Sequence, residues 1–296
     1  MKKMVGSFLM FVAVSSIAFP VSAHMLWVNL YESFAHPPGH VIASIGWGHT
    51  VPLDDLPGAL KLESYELIGP DHGKTALQLP LSEERDDFLP TPTGLQISSG
   101  DLGIRKFTLE EKSKPGTYQV SLVSADNYFS LYLDEEGRKK WAPKAMDELE
   151  NATQVLAGMK YKSCAKAYFT LGGEWTQPEP LHNDLELLPL TDLSDVRVGD
   201  LVKFRVTLLG DPLSTTPEKG LEYLTAHSNT FGGPDKFFLA SMLHKGEAQF
   251  RMPAAGQWVV NIYTSYDVDP ENGPEELIGK CTKVFYSGTV SFHVKP

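Results

Sequence analysis

Short runs in which apolar and polar residues alternate recur along most of the chain. Most of them are rich in β-branched or aromatic residues and are bounded by Gly, Pro, Asp or Asn, as antiparallel strands are. They cover residues 60–68, 105–109, 118–123, 128–133, 167–171, 202–208, 259–263 and 284–294. The pattern therefore predicts a mainly β protein.

One segment, 143–159, has helical spacing instead of alternation. Its apolar residues recur three or four positions apart, and Pro143 lies where a first helical turn would begin. These apolar residues are Ala145, Met146, Leu149, Ala152, Val155 and Leu156. We therefore expect a single helix, in the first half of the chain, among many strands.

Two similar turns indicate that the strands form two domains. Residues 116–120 (GTYQV) and 256–260 (GQWVV) each place an aromatic residue two positions after a glycine and follow a charged, alternating strand. In β-sandwiches such a turn leads into a strand whose aromatic side chain fills the core. A chain of 296 residues is also longer than one typical core requires. We therefore predict two tandem immunoglobulin-like β-sandwich domains, 24–190 and 191–296, with the helix in the first.

The first 23 residues have the organisation of an export signal. Lys2 and Lys3 precede an apolar stretch, 5–19, and Val21-Ser22-Ala23 ends in the small residues that signal peptidase reads. The stretch is too short for a permanent anchor, and no later stretch approaches about 18 apolar residues, so we expect no transmembrane segment after cleavage. Cleavage after Ala23 would make His24 the first residue of a periplasmic or secreted protein.

Charge and cysteine content narrow the function further. The formal net charge is −11, and removal of the two leader lysines makes it more negative by two, so a nucleic-acid partner is not expected. Cys164 and Cys281 are the two cysteines of the chain. In an oxidising compartment two cysteines more often pair than stay free, so we predict a disulfide between them, with free thiols as the alternative.

Histidines cluster at the start of the predicted mature chain. An N-terminal His24 would offer its α-amine and its ring to one metal ion, because the pKa of an α-amine is near 8. His49 follows Gly48 and His40 follows Gly39, in turns where the backbone can approach closely. Imidazole suits nickel, cobalt, copper and zinc. We therefore predict a divalent transition-metal site with His24, His49 and His40 as candidate ligands.

Several short motifs, in order, resemble one family. They are 23–27 (AHMLW), 46–49 (GWGH), 65–70 (YELIGP), 114–118 (KPGTY), 128–137 (YFSLYLDEEG), 161–167 (YKSCAKA), 184–190 (DLELLPL), 198–200 (VGD) and 256–258 (GQW). In order and spacing the chain resembles the periplasmic NikM-like family, a domain of unknown function found beside nickel and cobalt uptake systems. The resemblance implies an exported, two-domain protein with immunoglobulin-like folds that handles a transition metal through His24 and His49. The chain departs from the family at 262–264 (IYT) and 244–246 (HKG), where many members carry a histidine and an aspartate turn.

We therefore expect an exported protein that binds nickel or cobalt, with copper as a competing ion, and passes it to a transporter in the inner or outer membrane. The motifs of common hydrolases, metalloproteases and phosphate-binding enzymes are missing from the sequence, so no enzymatic activity is expected. Two alternatives stay open. One is a copper-dependent monooxygenase-like protein with an N-terminal histidine brace, and the other is an adhesive or carbohydrate-binding protein without a metal.

Overall fold

The computed structural model describes residues 24–57, 60–81, 89–213, 215, 221–232 and 237–296. The predicted export signal, 1–23, lies outside these residues. In chain order the strands are β1 (Met25–Ser33), β2 (His40–Gly48), β3 (Leu62–Ile68), β4 (Lys74–Ala76), β5 (Leu89–Pro90), β6 (Gln96–Ile97), β7 (Arg105–Thr108), β8 (Gly116–Ser124), β9 (Asn127–Leu133), β10 (Lys139–Ala142), β11 (Gln154–Leu171), β12 (Leu185–Pro189), β13 (Leu201–Leu208), β14 (Asp211–Pro212), β15 (Tyr223–His227), β16 (Leu239–Met242), β17 (Glu247–Arg251), β18 (Gly256–Asp267) and β19 (Lys283–Val294). The prediction of a mainly β protein is confirmed.

The predicted helix at 143–159 is wrong. A single 3₁₀ turn, Met146–Glu148, occupies its first part, and β11 begins at Gln154. β11 pairs with β9 on one edge and with β19 on the other, and its register shifts between Val155 and Ala157. Pairing with β9 from Gln154, and with β19 from Met159, stabilises an extended chain here despite apolar residues at helical spacing, since tertiary contacts override weak local preferences.

One large sheet joins the early and late parts of the chain. It contains ten strands, in the order β16-β15-β18-β19-β11-β8-β3-β4, with β9 and β10 added beside β11. β11 and β19 lie parallel over nine residue pairs, from Met159 opposite Lys283 to Ala167 opposite Ser291. The predicted boundary near residue 190 and the immunoglobulin-like form of the two halves stay predictions.

Two smaller sheets cover this large sheet. The sheet β1-β2-β7 buries Leu26, Val28 and Ile45 against one face, together with Val120 and Ala165 of the large sheet. The sheet formed by β12, β13, β14 and β17 packs with β15, β18 and β19 around a second core. That core includes Leu187, Phe204, Leu224, Trp258, Val260 and Phe292.

β1 is an edge strand of the sheet β1-β2-β7. Side chains of β19 bind to its outer edge. The carbonyl oxygen of Leu26 accepts a hydrogen bond from Thr289 Oγ1 (2.6 Å), and that of Val28 accepts one from the Ser291 hydroxyl. Further along, Nε2 of His293 lies 3.0 Å from the carbonyl oxygen of Leu30. Alternate carbonyls of β1 are thus fixed by side chains of the last strand, which satisfies an edge that would otherwise be open.

The predicted disulfide is also wrong, because Cys164 and Cys281 are free, buried thiols. The register of β11 explains this. Thr282 donates a backbone hydrogen bond to Gly158, so Cys281 lies beside the start of β11, whereas Cys164 is six residues further along that strand. Six residues of strand span about 20 Å, far more than the Cα separation of about 4.4 to 6.8 Å that a disulfide needs.

Candidate functional site

The hairpin of β1 and β2 brings His24 and His49 together. Met25 lies directly opposite Gly48 in the antiparallel register, so the residues just beyond this pair meet at the open end of the hairpin. The ring centroids of His24 and His49 are 4.5 Å apart, and the two rings are tilted by 42°. Of the three histidines predicted from the sequence, these two form a pair.

His24 is fixed from two sides. Its ring stacks on Trp47, with centroids 5.2 Å apart and an angle of 9° between the planes. Its carbonyl oxygen accepts a hydrogen bond from the Tyr161 hydroxyl at 3.2 Å. That hydroxyl also lies 3.0 Å from Ser287 Oγ, which in turn lies 2.9 Å from Ser163 Oγ. A buried polar chain from β11 and β19 therefore supports the start of β1.

Burial keeps the supporting phenols protonated. It raises the pKa of Tyr161, and it raises the pKa of Tyr263 on β18 even further. A neutral phenol is a hydrogen-bond donor, so Tyr161 can hold the carbonyl of His24 at neutral pH.

His49 is fixed by a turn and by a carboxylate. Its backbone N–H donates a 2.7 Å hydrogen bond to Asp54 Oδ2, and its Nδ1 lies 3.5 Å from the same oxygen. Gly48 precedes it with a φ of +122°, a conformation that favours glycine, and a Cβ there would lie only 2.4 Å from Asp54 Oδ2. About a third of the His49 side chain is exposed to solvent. The close approach therefore places Asp54 against Nδ1 and leaves the ring accessible.

His40 lies at the opposite end of the hairpin. It is the first residue of β2 and pairs with Ser33, eight residues from Gly48. Eight residues of strand span about 26 Å, so His40 cannot share an ion with His24 and His49.

The donor set at this site is small. Within the described ranges, no three side chains of His, Cys, Asp or Glu lie together as a metal cluster would require. His24 and His49 supply two imidazoles, and ions of this class bind imidazole nitrogen at about 2.0 to 2.1 Å. Rings only 4.5 Å apart are close enough to share one ion. A third donor would have to be the α-amine that cleavage before His24 would create, or the oxygen of a water molecule.

Three supporting residues were not identified from the sequence as part of this site. Trp47 stood within a recognised motif, and Asp54 follows His49 by five positions, so a search for carboxylates near the histidine would have found it. Tyr161 is separated from His24 by 137 positions, and no local signal connects them.

Comparison with known proteins places the chain in a family. Residues 21–265 match the family described as a domain of unknown function (DUF4198). The chain belongs to this family. The match to DUF4198 begins just before His24 and ends within β18, so it includes both histidines and β11, which carries Tyr161, but not β19. No curated protein matches the chain.

Among solved structures, a Salmonella alpha-2-macroglobulin mutant is 10% identical over 94% of this chain, with a TM-score of 0.23. This chain spans about a quarter of the length of that structure, since 26% of it is covered. So distant a likeness says nothing about function. Among the described residues, no helix has the length and apolar character needed to cross a membrane.

Proposed function

We propose that this DUF4198 chain is an exported protein that binds a divalent transition metal through His24 and His49. The observation that carries the proposal is the 4.5 Å separation of the two imidazole centroids at the open end of the first hairpin. Metal-binding histidines are usually oriented by a second group on the other ring nitrogen. Asp54 beside Nδ1 of His49 fits that role and leaves Nε2 with the lone pair that a metal needs.

Export completes the site in this proposal. Cleavage after Ala23 turns the amide nitrogen of His24 into an α-amine, which has a pKa near 8 and is a usable ligand at neutral pH. The amine and ring of His24 with the ring of His49 then supply three nitrogens. Because the third donor belongs to the backbone, the site does not depend on a third ligating side chain.

The identity of the proposed metal ion is inferred from the family resemblance. The resemblance to the NikM-like family supports nickel or cobalt as the cargo and a membrane metal transporter as the partner that receives it. Three nitrogen donors alone would favour Cu²⁺ over Ni²⁺ and Co²⁺ by the Irving–Williams order. Selection of nickel or cobalt would therefore depend on which ion the compartment supplies.

The test is calorimetric titration of the processed protein with Ni²⁺, Co²⁺ and Cu²⁺, with its N-terminus checked by intact mass. Keeping Ala23 in front of His24, or changing His49→Ala, should each weaken binding by about 10- to 100-fold or more. The two changes together should weaken metal binding little more than either change alone, because both remove ligands of the same site. Metal binds only the unprotonated forms of imidazole and amine, so affinity should also fall as the solution is made more acidic.

His40→Ala is the matched control, because His40 lies at the far end of the same hairpin. The metal affinity of this variant should equal that of the parent protein. Unchanged binding in both site variants, or an equal loss in the control, would refute the proposed ligands.

A further inference from the structure

The face of the large sheet that supports His24 continues beyond it. Tyr161 points toward β1, since its hydroxyl holds the His24 carbonyl. Residues directly opposite one another on neighbouring strands project from the same face. Asn127 on β9 and Phe285 on β19 lie opposite Tyr161, so both project on the side of the histidine pair.

Apolar and aromatic side chains occupy the next rows of that face. Met159 lies opposite Phe129, and Leu131 lies opposite both Ala157 and Trp141. We call Phe129, Leu131, Trp141, Met159 and Phe285 the aromatic platform. Phe129 is 40% exposed and Trp141 is 61% exposed, because the sheet β1-β2-β7 reaches only as far as the start of β1. The platform is therefore an uncovered continuation of the surface next to His24.

The size of the platform argues against a stable protein partner. Aromatic side chains bury about 150 to 250 Å² each, so the exposed parts of these residues amount to on the order of 300 Å². A stable protein interface needs about 800 Å² from each partner. The platform is sufficient for one narrow ligand but is too small for a second copy of the chain.

The charge of the platform argues for a neutral ligand. Three charged residues lie on this face: Lys283 and Asp267 are paired at 3.1 Å, the Lys283 ammonium lies 5.8 Å from the ring centroid of Phe285, and Lys139 is exposed two residues before Trp141. The polar residues bordering it include Asn127 and Ser265, which are uncharged and can hydrogen-bond hydroxyl groups. A chain with a formal net charge of −11 thus presents here a surface made mainly of uncharged apolar and aromatic side chains.

We propose that the aromatic platform binds a neutral polysaccharide of β-1,4-linked pyranose units. Such chains form flat ribbons whose C–H faces stack on aromatic rings while their hydroxyl groups stay at the edges, in reach of water and of residues such as Asn127. Phe285 lies one strand spacing, about 4.8 Å, from Tyr161, so a bound ribbon would lie beside the histidine pair. Binding requires neither a metal nor an α-amine, and so this proposal is independent of the proposed function.

The test is binding of the processed protein to cellulose and to chitin, measured as depletion from solution in the presence of a chelator. Soluble hexasaccharides of each polymer give the affinity by calorimetry. Trp141→Ala and Phe129→Ala should each weaken binding at least tenfold. Phe238→Ala is the matched control, because Phe238 is 52% exposed just before β16, the strand at one end of the large sheet, and its binding should be unchanged.

Sedimentation velocity of the same proteins gives a second readout, and all of them should be monomeric. Failure of the parent protein to bind either polymer would overturn the proposal, as would unchanged binding in both platform variants. A dimer that Trp141→Ala dissociates would overturn it in favour of self-association. Retained polysaccharide binding in a protein that binds no metal would support the platform and contradict only the proposed metal site.

Discussion

The carboxylate of Asp54 makes two separate contacts with His49. It accepts the backbone N–H of His49 at 2.7 Å, which fixes the turn after β2, and it lies 3.5 Å from Nδ1 of the ring. The first contact positions the residue, and the second favours the tautomer that carries its proton on Nδ1. The charge of Asp54 matters for the second contact more than for the first.

Asp54→Asn separates these two contacts. The amide oxygen of asparagine can still accept the backbone hydrogen bond, so the turn should persist, but the negative charge beside Nδ1 is lost. We expect nickel or copper affinity to fall about tenfold while the thermal midpoint changes little. Calorimetric titration and circular dichroism measure the two quantities. The control is Asp71→Asn, which changes an exposed carboxylate in the turn between β3 and β4. An equal loss of metal affinity in this variant would argue against a specific role for Asp54.

Only those residues of the site that lie close together along the chain could be predicted from the sequence. The sequence shows that His24 and His49 are close along the chain, but strands β1 and β2 were not among those predicted. These two strands have equal length in the structure, and so the ends of their hairpin meet. The sequence also makes His40 a candidate ligand, but closeness along the chain does not show which end of a strand a residue occupies, and His40 begins β2 at the far end of the hairpin. The contact of Tyr161 with His24 depends on the order of strands in the sheet, which the sequence does not reveal.

A buried ion pair joins β11 to β12. Lys166 Nζ lies 2.6 Å from Glu186 Oε1, and the two side chains are only 2% and 4% exposed. The backbone N–H groups of Leu181 and His182 also donate to the carboxylate of Glu186. Burial opposes ionisation, but the Lys166 ammonium and these donors hold the pKa of Glu186 below its usual value. The pair therefore links the large sheet to the sheet that covers the second core.

Glu186→Gln should destabilise the protein by about 3 to 5 kcal/mol, because it leaves the Lys166 ammonium buried without its counter-charge. The double variant Lys166→Met with Glu186→Leu should recover most of this loss. Since the pKa of Glu186 is lowered on folding, its contribution is present above about pH 4.3 and is lost as the pH falls through the lower, folded value. Urea unfolding between pH 3 and pH 7 measures both effects. A Glu186→Gln variant that is as stable as the parent protein would contradict this account.

β11 shows why strand prediction from periodicity fails at some positions. Residues 154–159 are apolar at helical spacing, but Gly158 has no room for a side chain, since a Cβ would lie 2.3 Å from the side chain of Met146. The sequence also gives no sign that this segment pairs with β9. Strands with strict alternation, such as β13 and β17, were predicted correctly or nearly so because only one of their faces is buried.

The parallel pairing of β11 with β19 makes the two halves of the chain share one sheet. Neither half can keep all of its backbone hydrogen bonds without the other, because nine residue pairs of this ladder cross between them. The sheet β1-β2-β7 also depends on β19, whose side chains hold the carbonyls of β1.

We therefore expect one cooperative unfolding transition for residues 24–296. In differential scanning calorimetry the calorimetric and van't Hoff enthalpies should agree. A fragment comprising residues 24–190 lacks β19 and should lack stable tertiary structure by near-ultraviolet circular dichroism and by amide dispersion in NMR. Two resolved transitions, or an independently folded fragment, would instead favour separate domains with the predicted boundary.

The side chains of β19 that bind the outer edge of β1 also determine when, during synthesis and export, the proposed metal site can form. A ribosome, and any export machinery that works from the N-terminus, releases His24 before β19. Until β19 is available, Thr289 and Ser291 cannot fix β1, and Tyr161 lacks the neighbouring Ser287. The proposed metal site depends on both His24 and β19, so under the proposed export it can be completed only after β19 has emerged, which would keep a partly translocated chain from loading metal early.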